Sequence, residues 1–299
     1  MDLMISSKTL LNSGYFKFFA PAKLNLFLKI LSKRKDGYHN LQSVFQLIDL
    51  QDDIYIKIRY KDNKVNIKNS CEQINQKNDL AFKAAKLMLS NHQIGADIYI
   101  KKRIPIGAGL GGGSSNAATV MMGINKIAKF NLSKKYLLAS GLTLGADVPF
   151  FVNGTNAWIE GIGEHLYNIR IPDSTYVIIV PNLNIKTKTI FNCFKLTNSS
   201  IPLKIATSYT AEHDLIKNDL EETVFKKYSK MSELSKWISS FGNAKMSGTG
   251  SSIFIRAKNL KMAKSIKENK PKNTNCFIVK GLSVHPFYLT DQLGSRQAG

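Results

Sequence analysis

Residues 105–119 read Pro-Ile-Gly-Ala-Gly-Leu-Gly-Gly-Gly-Ser-Ser-Asn-Ala-Ala-Thr, with five glycines (Gly107, Gly109, Gly111, Gly112, Gly113) in seven positions. Such density frees the backbone for positive φ and for close approach to a ligand. Ser114, Ser115 and Asn116 offer capping side chains, and a helical apolar run follows through Ala117, Val120, Met121 and Ile124. A flexible loop opening a helix presents unpaired N–H groups and positive dipole to an anion, usually phosphate. No Asp or Glu occurs from Ile98 to Ala146, while Lys101, Lys102, Arg103, Lys126 and Lys129 all fall inside. The chain must therefore build a strand–loop–helix unit around a phosphate cradle.

Other phosphate loops fit poorly. Gly107-x-Gly109-x-x-Gly112 matches the dinucleotide fingerprint, but the acid-free stretch covers the position where that motif needs its ribose carboxylate. A Walker A loop ends in Gly-Lys-Ser/Thr, whereas Gly113 is followed by Ser114. The protein-kinase signatures are missing. A glycine-rich linker is disfavoured by the capped apolar helix that follows.

At 299 residues the chain is long enough for two domains, each with its own core. No run approaches the ~18 apolar residues of a membrane span, and the first thirteen residues lack the pattern of a signal peptide. Cys71, Cys193 and Cys276 are odd in number and share no metal-type spacing, which fits reduced thiols in the cytoplasm. The net charge of +21 comes from scattered lysines, with only six arginines among 42 basic residues. With no basic block or interleaved aromatics, a nucleic-acid partner is not expected.

Period-two runs at 16–20, 24–31, 43–49 and 54–60 predict strands. Asn78 is placed to cap a helix whose stripe is Leu80, Ala81, Ala84, Leu87 and Met88, and 98–104 predicts the strand entering the glycine loop. A second helix, 134–144, stops at Gly145, and 156–166 reads as extended. Pro172 and Asp173 interrupt the pattern and place a boundary near 170, giving domains 1–170 and 171–299. Beyond it the pattern predicts helices at 214–230, 232–240 and 259–268 and strands at 176–180, 244–247, 251–256 and 276–283, an α+β arrangement.

Three further patches accompany the loop. Ala-Pro-Ala-Lys-Leu-Asn-Leu (20–26) sets Lys23 and Asn25 on the strand face opposite Leu24 and Leu26. Gly-Ala-Asp-Val-Pro-Phe-Phe (145–151) sets Asp147 at an expected helix-to-strand turn, and Lys-Met-Ser-Gly-Thr-Gly-Ser-Ser (245–252) is a second small-residue loop. Together these resemble the three motifs of the GHMP kinases, small-molecule kinases related to galactokinase, homoserine kinase and mevalonate kinase. The resemblance covers nearly the whole chain in the expected order. Lys-Asp-Gly-Tyr-His-Asn-Leu-Gln (35–42) sharpens it toward members whose acceptor alcohol carries a cytidine diphosphate and is phosphorylated on its 2-hydroxyl, in the non-mevalonate route to isoprenoid precursors.

The resemblance implies a two-domain α+β fold, with an N-terminal domain of the ribosomal S5 domain-2 type and a ferredoxin-like C-terminal domain. It implies ATP as phosphoryl donor and Asp147 and Lys23 as catalytic residues, the first a base for the alcohol and the second a cation for the developing phosphoryl charge. Pro105, Gly107, Gly109, Leu110, Gly111, Gly112, Gly113, Ser114, Ser115 and Asn116, with Lys102, are the implied nucleotide contacts, Lys102 and Asn116 at the adenosine. Asn25, Tyr38, His39, Asp147, Thr187 and Phe191 are the implied acceptor contacts, His39 on the cytosine edge with Tyr38 and Phe191 against its ring. Lys188 stands where the family pattern has proline, and Ser247, Gly248 and Thr249 match its C-terminal motif. No residue matches the glutamate that some members use for Mg²⁺, so the metal is expected to arrive with ATP, Ser115 being a possible contact. Homoserine or mevalonate kinase activity is the near rival. A dinucleotide oxidoreductase and a nucleic-acid-binding module on the S5-type fold are remote ones. A monomer or weak homodimer is expected.

Overall fold

The computed structural model describes residues 6–71, 76–196 and 201–289. The first half runs α1 (Ser7–Asn12), β1 (Phe16–Lys33), β2 (His39–Arg59), β3 (Val65–Asn69), α2 (Leu80–Leu89), β4 (Gly95–Lys101), α3 (Gly112–Ile127), α4 (Lys134–Leu144), α5 (Val148–Asn153), β5 (Ala157–Gly161) and β6 (His165–Asn168). The second half runs β7 (Thr175–Pro181), α6 (Thr187–Cys193), α7 (Ala211–Asp214), α8 (Glu221–Lys227), α9 (Ser229–Ser239), β8 (Ala244–Met246), β9 (Ile253–Ala257), α10 (Leu260–Glu268) and β10 (Thr274–Leu282).

The four short strands expected at the start are two long ones, β1 and β2, paired antiparallel from Phe16↔Ile56 to Lys33↔His39. Register shifts at Pro21/Ala22, Asn25/Phe27 and Ile30/Ser32 break the period-two pattern, which is why one strand reads as two. β2 is the spine of the first half. Besides β1 it pairs with β4 along its later residues and β5 along its earlier ones. Helices α2 and α3 cover this sheet with Ala81, Ala84, Ala85, Ala117 and Ala118, all buried. Small residues let helix and sheet approach closely.

In the second half the strand order is β10-β7-β9-β8, antiparallel throughout, and the chain order is strand, helices, two strands, helix, strand. That is the ferredoxin-like arrangement. Its helical face buries Val224, Met231, Leu234, Ile238, Ala263 and Ile266 against Val177, Ile179, Ile253 and Ile255. The helix expected over 214–230 is three pieces: residues 215–220 leave the helical path, where Leu28 donates to Lys217 and Asp219 donates back to Leu28, and Tyr228 is extended between α8 and α9.

The two halves share one sheet. β10 pairs with β2 at Gly281↔Ile48 and Leu282↔Leu47. Residue 170 lies in the connection between β6 and β7, yet residues 281–289 return to the first half. There the His285 N–H donates to Gly154, the Tyr288 hydroxyl donates to Val152, and the Phe287 ring stacks on Phe18. Among the described residues no helix is long and apolar enough to cross a membrane.

Candidate active site

The glycine loop leaves β4 at Lys101 and enters α3 at Gly112. Its cap is Gly111, in the left-handed region at φ +70° with no side-chain cap bond, rather than Ser114, Ser115 or Asn116. Those three lie inside the first turns of α3, past the cap position. The Ser115 hydroxyl is fully buried and donates to the Pro21 carbonyl at 2.6 Å. Asn116 donates to Asp52 at 2.8 Å. The first N–H groups of α3 are thus left without side-chain acceptors, as an anion site requires.

The second small-residue loop holds the first in place. The Ser247 hydroxyl donates to the Gly109 carbonyl at 3.0 Å, and the Ser252 N–H donates to Ala108 at 3.1 Å. A Cβ on Gly109 would run into the Ser247 carbonyl. One on Gly111 would lie 2.9 Å from the Phe151 ring and 3.1 Å from Cγ of Lys23. Leu110 is a packing residue: its side chain is buried among Ala22, Leu24 and Ile104, and its carbonyl accepts the Lys23 N–H at 3.0 Å. Gly107 is exposed at φ +68°, Pro105 and Ser114 are half-buried at the rim, and Gly113 is exposed.

Lys23 and Asn25 do point away from Leu24 and Leu26. The lysine is 3% exposed, yet its ammonium reaches three groups of the site. It donates to the Asn25 side chain, sits 4.2 Å above the Phe45 ring, lies 3.5 Å from an Asp147 carboxylate oxygen, and carries its own stem beside Gly111. Burial pushes the ammonium below its ordinary pKa, and Asp147 partly restores it. Asn25 in turn donates to Ser43 at 3.2 Å, and its N–H donates to Ser247.

Asp147 occupies a helix-to-helix turn, not the expected helix-to-strand one. Val-Pro-Phe-Phe-Val reads as a strand by composition, but Pro149 in the first turn of α5 suits a helix start. The carboxylate makes no cap bond and stays partly accessible, 31% exposed, facing Lys23.

The acceptor residues come from opposite halves of the molecule. Gly37, at φ +86°, closes the β1–β2 hairpin, with Tyr38 donating its N–H to Asp36. Tyr38 stands 59% exposed, whereas His39 is buried with its ring 5.2 Å from Phe191 of α6. Burial, with the nearby Lys33 ammonium, holds the imidazole below its usual pKa, so the ring is neutral at neutral pH. Phe194 meets His39 edge-on at 6.3 Å, and Thr187 hydrogen-bonds Thr249 of the second loop at 3.1 Å. Lys188 lies in the first turn of α6 without disturbing it.

Sequence reasoning missed Asp52 and Phe45. Asp52 is fully buried on β2 and binds the side chains of Lys102 and Asn116, which also meet each other at 2.8 Å. The two expected adenosine contacts are therefore together, but with their polar ends turned toward this carboxylate. The acid pair at 52–53 falls between the strands expected at 43–49 and 54–60; a deficit of carboxylates around the loop lysines is the available signal.

An open helix terminus beside a carboxylate and a buried ammonium suits phosphoryl transfer, and the comparisons agree on the class: a GHMP kinase. The model of the GHMP kinases N terminal domain matches residues 79–155, and that of the GHMP kinases C terminal matches residues 207–273. The 4-diphosphocytidyl-2-C-methyl-D-erythritol kinase of Neisseria meningitidis serogroup B is 40% identical over 275 residues, 91% of this chain and 97% of the relative. That of Janthinobacterium sp. is 38% identical over 280 residues, 91% and 96% of the two chains. A crystal structure of 4-(cytidine 5'-diphospho)-2C-methyl-D-erythritol kinase matches with a TM-score of 0.76 at 29% identity, over 89% of this chain and 99% of that one. The chain belongs to the 4-diphosphocytidyl-2-C-methyl-D-erythritol kinase family. Methanococcus jannaschii mevalonate kinase, at 17% identity and a TM-score of 0.63, shares the fold.

Proposed function

We propose that the chain uses ATP to phosphorylate the 2-hydroxyl of 4-(cytidine 5'-diphospho)-2-C-methyl-D-erythritol, in the non-mevalonate route to isoprenoid precursors. The observation that carries this reading is the spread of the acceptor residues along one strand. Lys23 sits over Phe45, and the His39–Phe191 pair lies six residues away on β2, roughly 20 Å at the usual rise per residue. Homoserine and mevalonate are too short to touch both ends. A polyol joined through a diphosphate to a base spans them.

Asp147 accepts the proton of the tertiary alcohol, which is a poor nucleophile without such help. Lys23, held by Asn25 and Phe45, places positive charge where negative charge grows on the transferring group. The N–H groups at 112–114 cradle the donor's phosphates, and Gly111 leaves them open because any side chain there would strike Phe151. Mg²⁺ accompanies the nucleotide and neutralises phosphate charge when bound. Among the described residues no group of three or more His, Cys, Asp or Glu is placed to hold a metal. Neutral His39 is suited to pairing with the cytosine edge, Phe191 and Tyr38 to its ring, and Thr187 to a hydroxyl. The enzyme works in the cytoplasm on small molecules, as a monomer or weak homodimer, without nucleic acid or membrane.

A coupled ADP-release assay tests this. Turnover with the cytidine-diphosphate polyol should far exceed that with homoserine or mevalonate. Equal or greater turnover with either short alcohol would overturn the assignment.

A further inference from the structure

Asp52 is a carboxylate with no exposure to solvent, and it is bound on every side. One oxygen accepts the backbone N–H groups of Arg103 at 2.6 Å and Ile104 at 2.9 Å, the residues that begin the glycine loop. The other accepts the Lys102 ammonium at 2.5 Å and the Asn116 amide at 2.8 Å, and Asn116 lies in the first turns of α3, just after the loop ends. A single side chain on β2 therefore ties down both ends of the loop. The placement is also electrostatic. A Cβ on Gly112 would lie 3.5 Å from the Lys102 nitrogen, so a buried ammonium sits directly beneath the positive end of α3. Asp52 offsets that charge from within. Neighbouring Asp53 reaches only the loop's entry, through the Arg103 guanidinium, and otherwise pairs with Lys17.

We propose that Asp52 is the positioning residue of the nucleotide loop: it sets the separation of the loop's two ends and so pre-forms the row of N–H groups that meets the donor's phosphates. Lys102 and Asn116 act in the same frame, through Asp52. The inference rests on the reading of this loop as the ATP site. A cradle misplaced by about an ångström loses much of its contribution, up to ~10²-fold.

Charge and position separate in two charge-balanced double variants. Asp52→Asn/Lys102→Met keeps an amide oxygen for the Arg103 and Ile104 N–H groups, whereas Asp52→Ala/Lys102→Met keeps none. Both are compared with wild type for ATP-analogue affinity by calorimetry, for KM of each substrate, and for hydrogen exchange at residues 103–116. Asp52→Ala/Lys102→Met should weaken ATP by about tenfold or more and speed exchange at 103 and 104. Its KM for the acceptor should stay within about twofold, because Asp52 makes none of its hydrogen bonds to an acceptor residue. Asp52→Asn/Lys102→Met should recover most of the ATP affinity. Equal ATP affinity in wild type and Asp52→Ala/Lys102→Met would overturn the proposal, as would an equal loss for both substrates. A wild-type protein that binds no ATP analogue would instead refute the reading of the loop. Should the alanine double variant not fold, Asp52→Glu, which keeps the charge but displaces it, must show the same selective loss for ATP.

Discussion

The donor and acceptor sides of the cleft are built on opposite plans. On the donor side every polar group that shapes the loop is buried and tied: Ser115 to Pro21, Asn116 and Lys102 to Asp52, Ser247 to Gly109. On the acceptor side the groups expected to meet the base touch only lightly, as Tyr38 stands in solvent and His39 meets Phe191 through a tilted ring contact. The difference reflects what each side must recognise. A phosphate is met by backbone N–H groups whose direction only a locked loop can fix. A base is met by flat rings, where a small tilt costs little and an open rim admits a long ligand.

Asp147 lies where the two sides meet, so its loss tests both at once and carries the largest effect. Asp147→Asn should lower turnover by roughly 10²–10⁴ while leaving affinity for an ATP analogue nearly intact. Stopped-flow or steady-state kinetics on the folded variant decide this; near-normal turnover would remove the base.

Next in size is a break confined to the donor side. Gly111→Val demands φ +70° of a β-branched residue and drives its side chain into Phe151. ATP affinity should fall by more than about tenfold and Tm should drop, because the same ring belongs to the core. Unaltered binding by calorimetry would mean that the phosphates lie elsewhere.

The same contrast explains how much the sequence could tell. The donor loop is contiguous, and its chemistry needs glycines and a following helix, so its place in the chain is legible, though its cap is Gly111 rather than Ser114, Ser115 or Asn116. Its anchor is not legible: Asp52 lies some fifty residues upstream on a strand, and nothing local marks it as the partner of Lys102. In the acceptor pocket His39 and Phe191 are separated by the whole first half of the chain, so only resemblance could join them. The ferredoxin-like half was legible as alternating helices and strands, but not the return of residues 281–289 to the other half. That return is made of backbone and ring contacts that carry no motif. Asp147's helix-to-helix turn was misread because aromatic and β-branched residues favour strands in general, while Pro149 decided the local outcome.

A smaller effect belongs to the acceptor side alone. Phe191→Ala removes one ring from the proposed base pocket, worth roughly 1–3 kcal/mol by analogy with base–aromatic stacking. The dissociation constant of the cytidine substrate should rise about tenfold or more with ATP affinity unchanged. His39→Ala should in addition erode discrimination against a uridine analogue. Equal losses for both ligands would mean that the two sides are not the independent units their packing suggests.

The subtlest test is whether Lys23 couples the sides electrostatically. Burial lowers its pKa, and the Asp147 carboxylate 3.5 Å away raises it again. The ammonium is needed beside the phosphates, so ATP-analogue affinity should fall as pH rises through a value below the ordinary lysine pKa of about 10.4. Asp147→Asn removes the raising influence and leaves the desolvation in place. The alkaline limb of affinity should then move to lower pH. Lys23 loses its proton sooner without the carboxylate, whereas a limb due to an unrelated group would stay where it was. Calorimetric titrations of wild type and variant from pH 7 to about 10 separate the cases. Superimposed profiles would show that the pair is close in space but uncoupled in energy, and the donor and acceptor sides would then communicate only through the substrate itself.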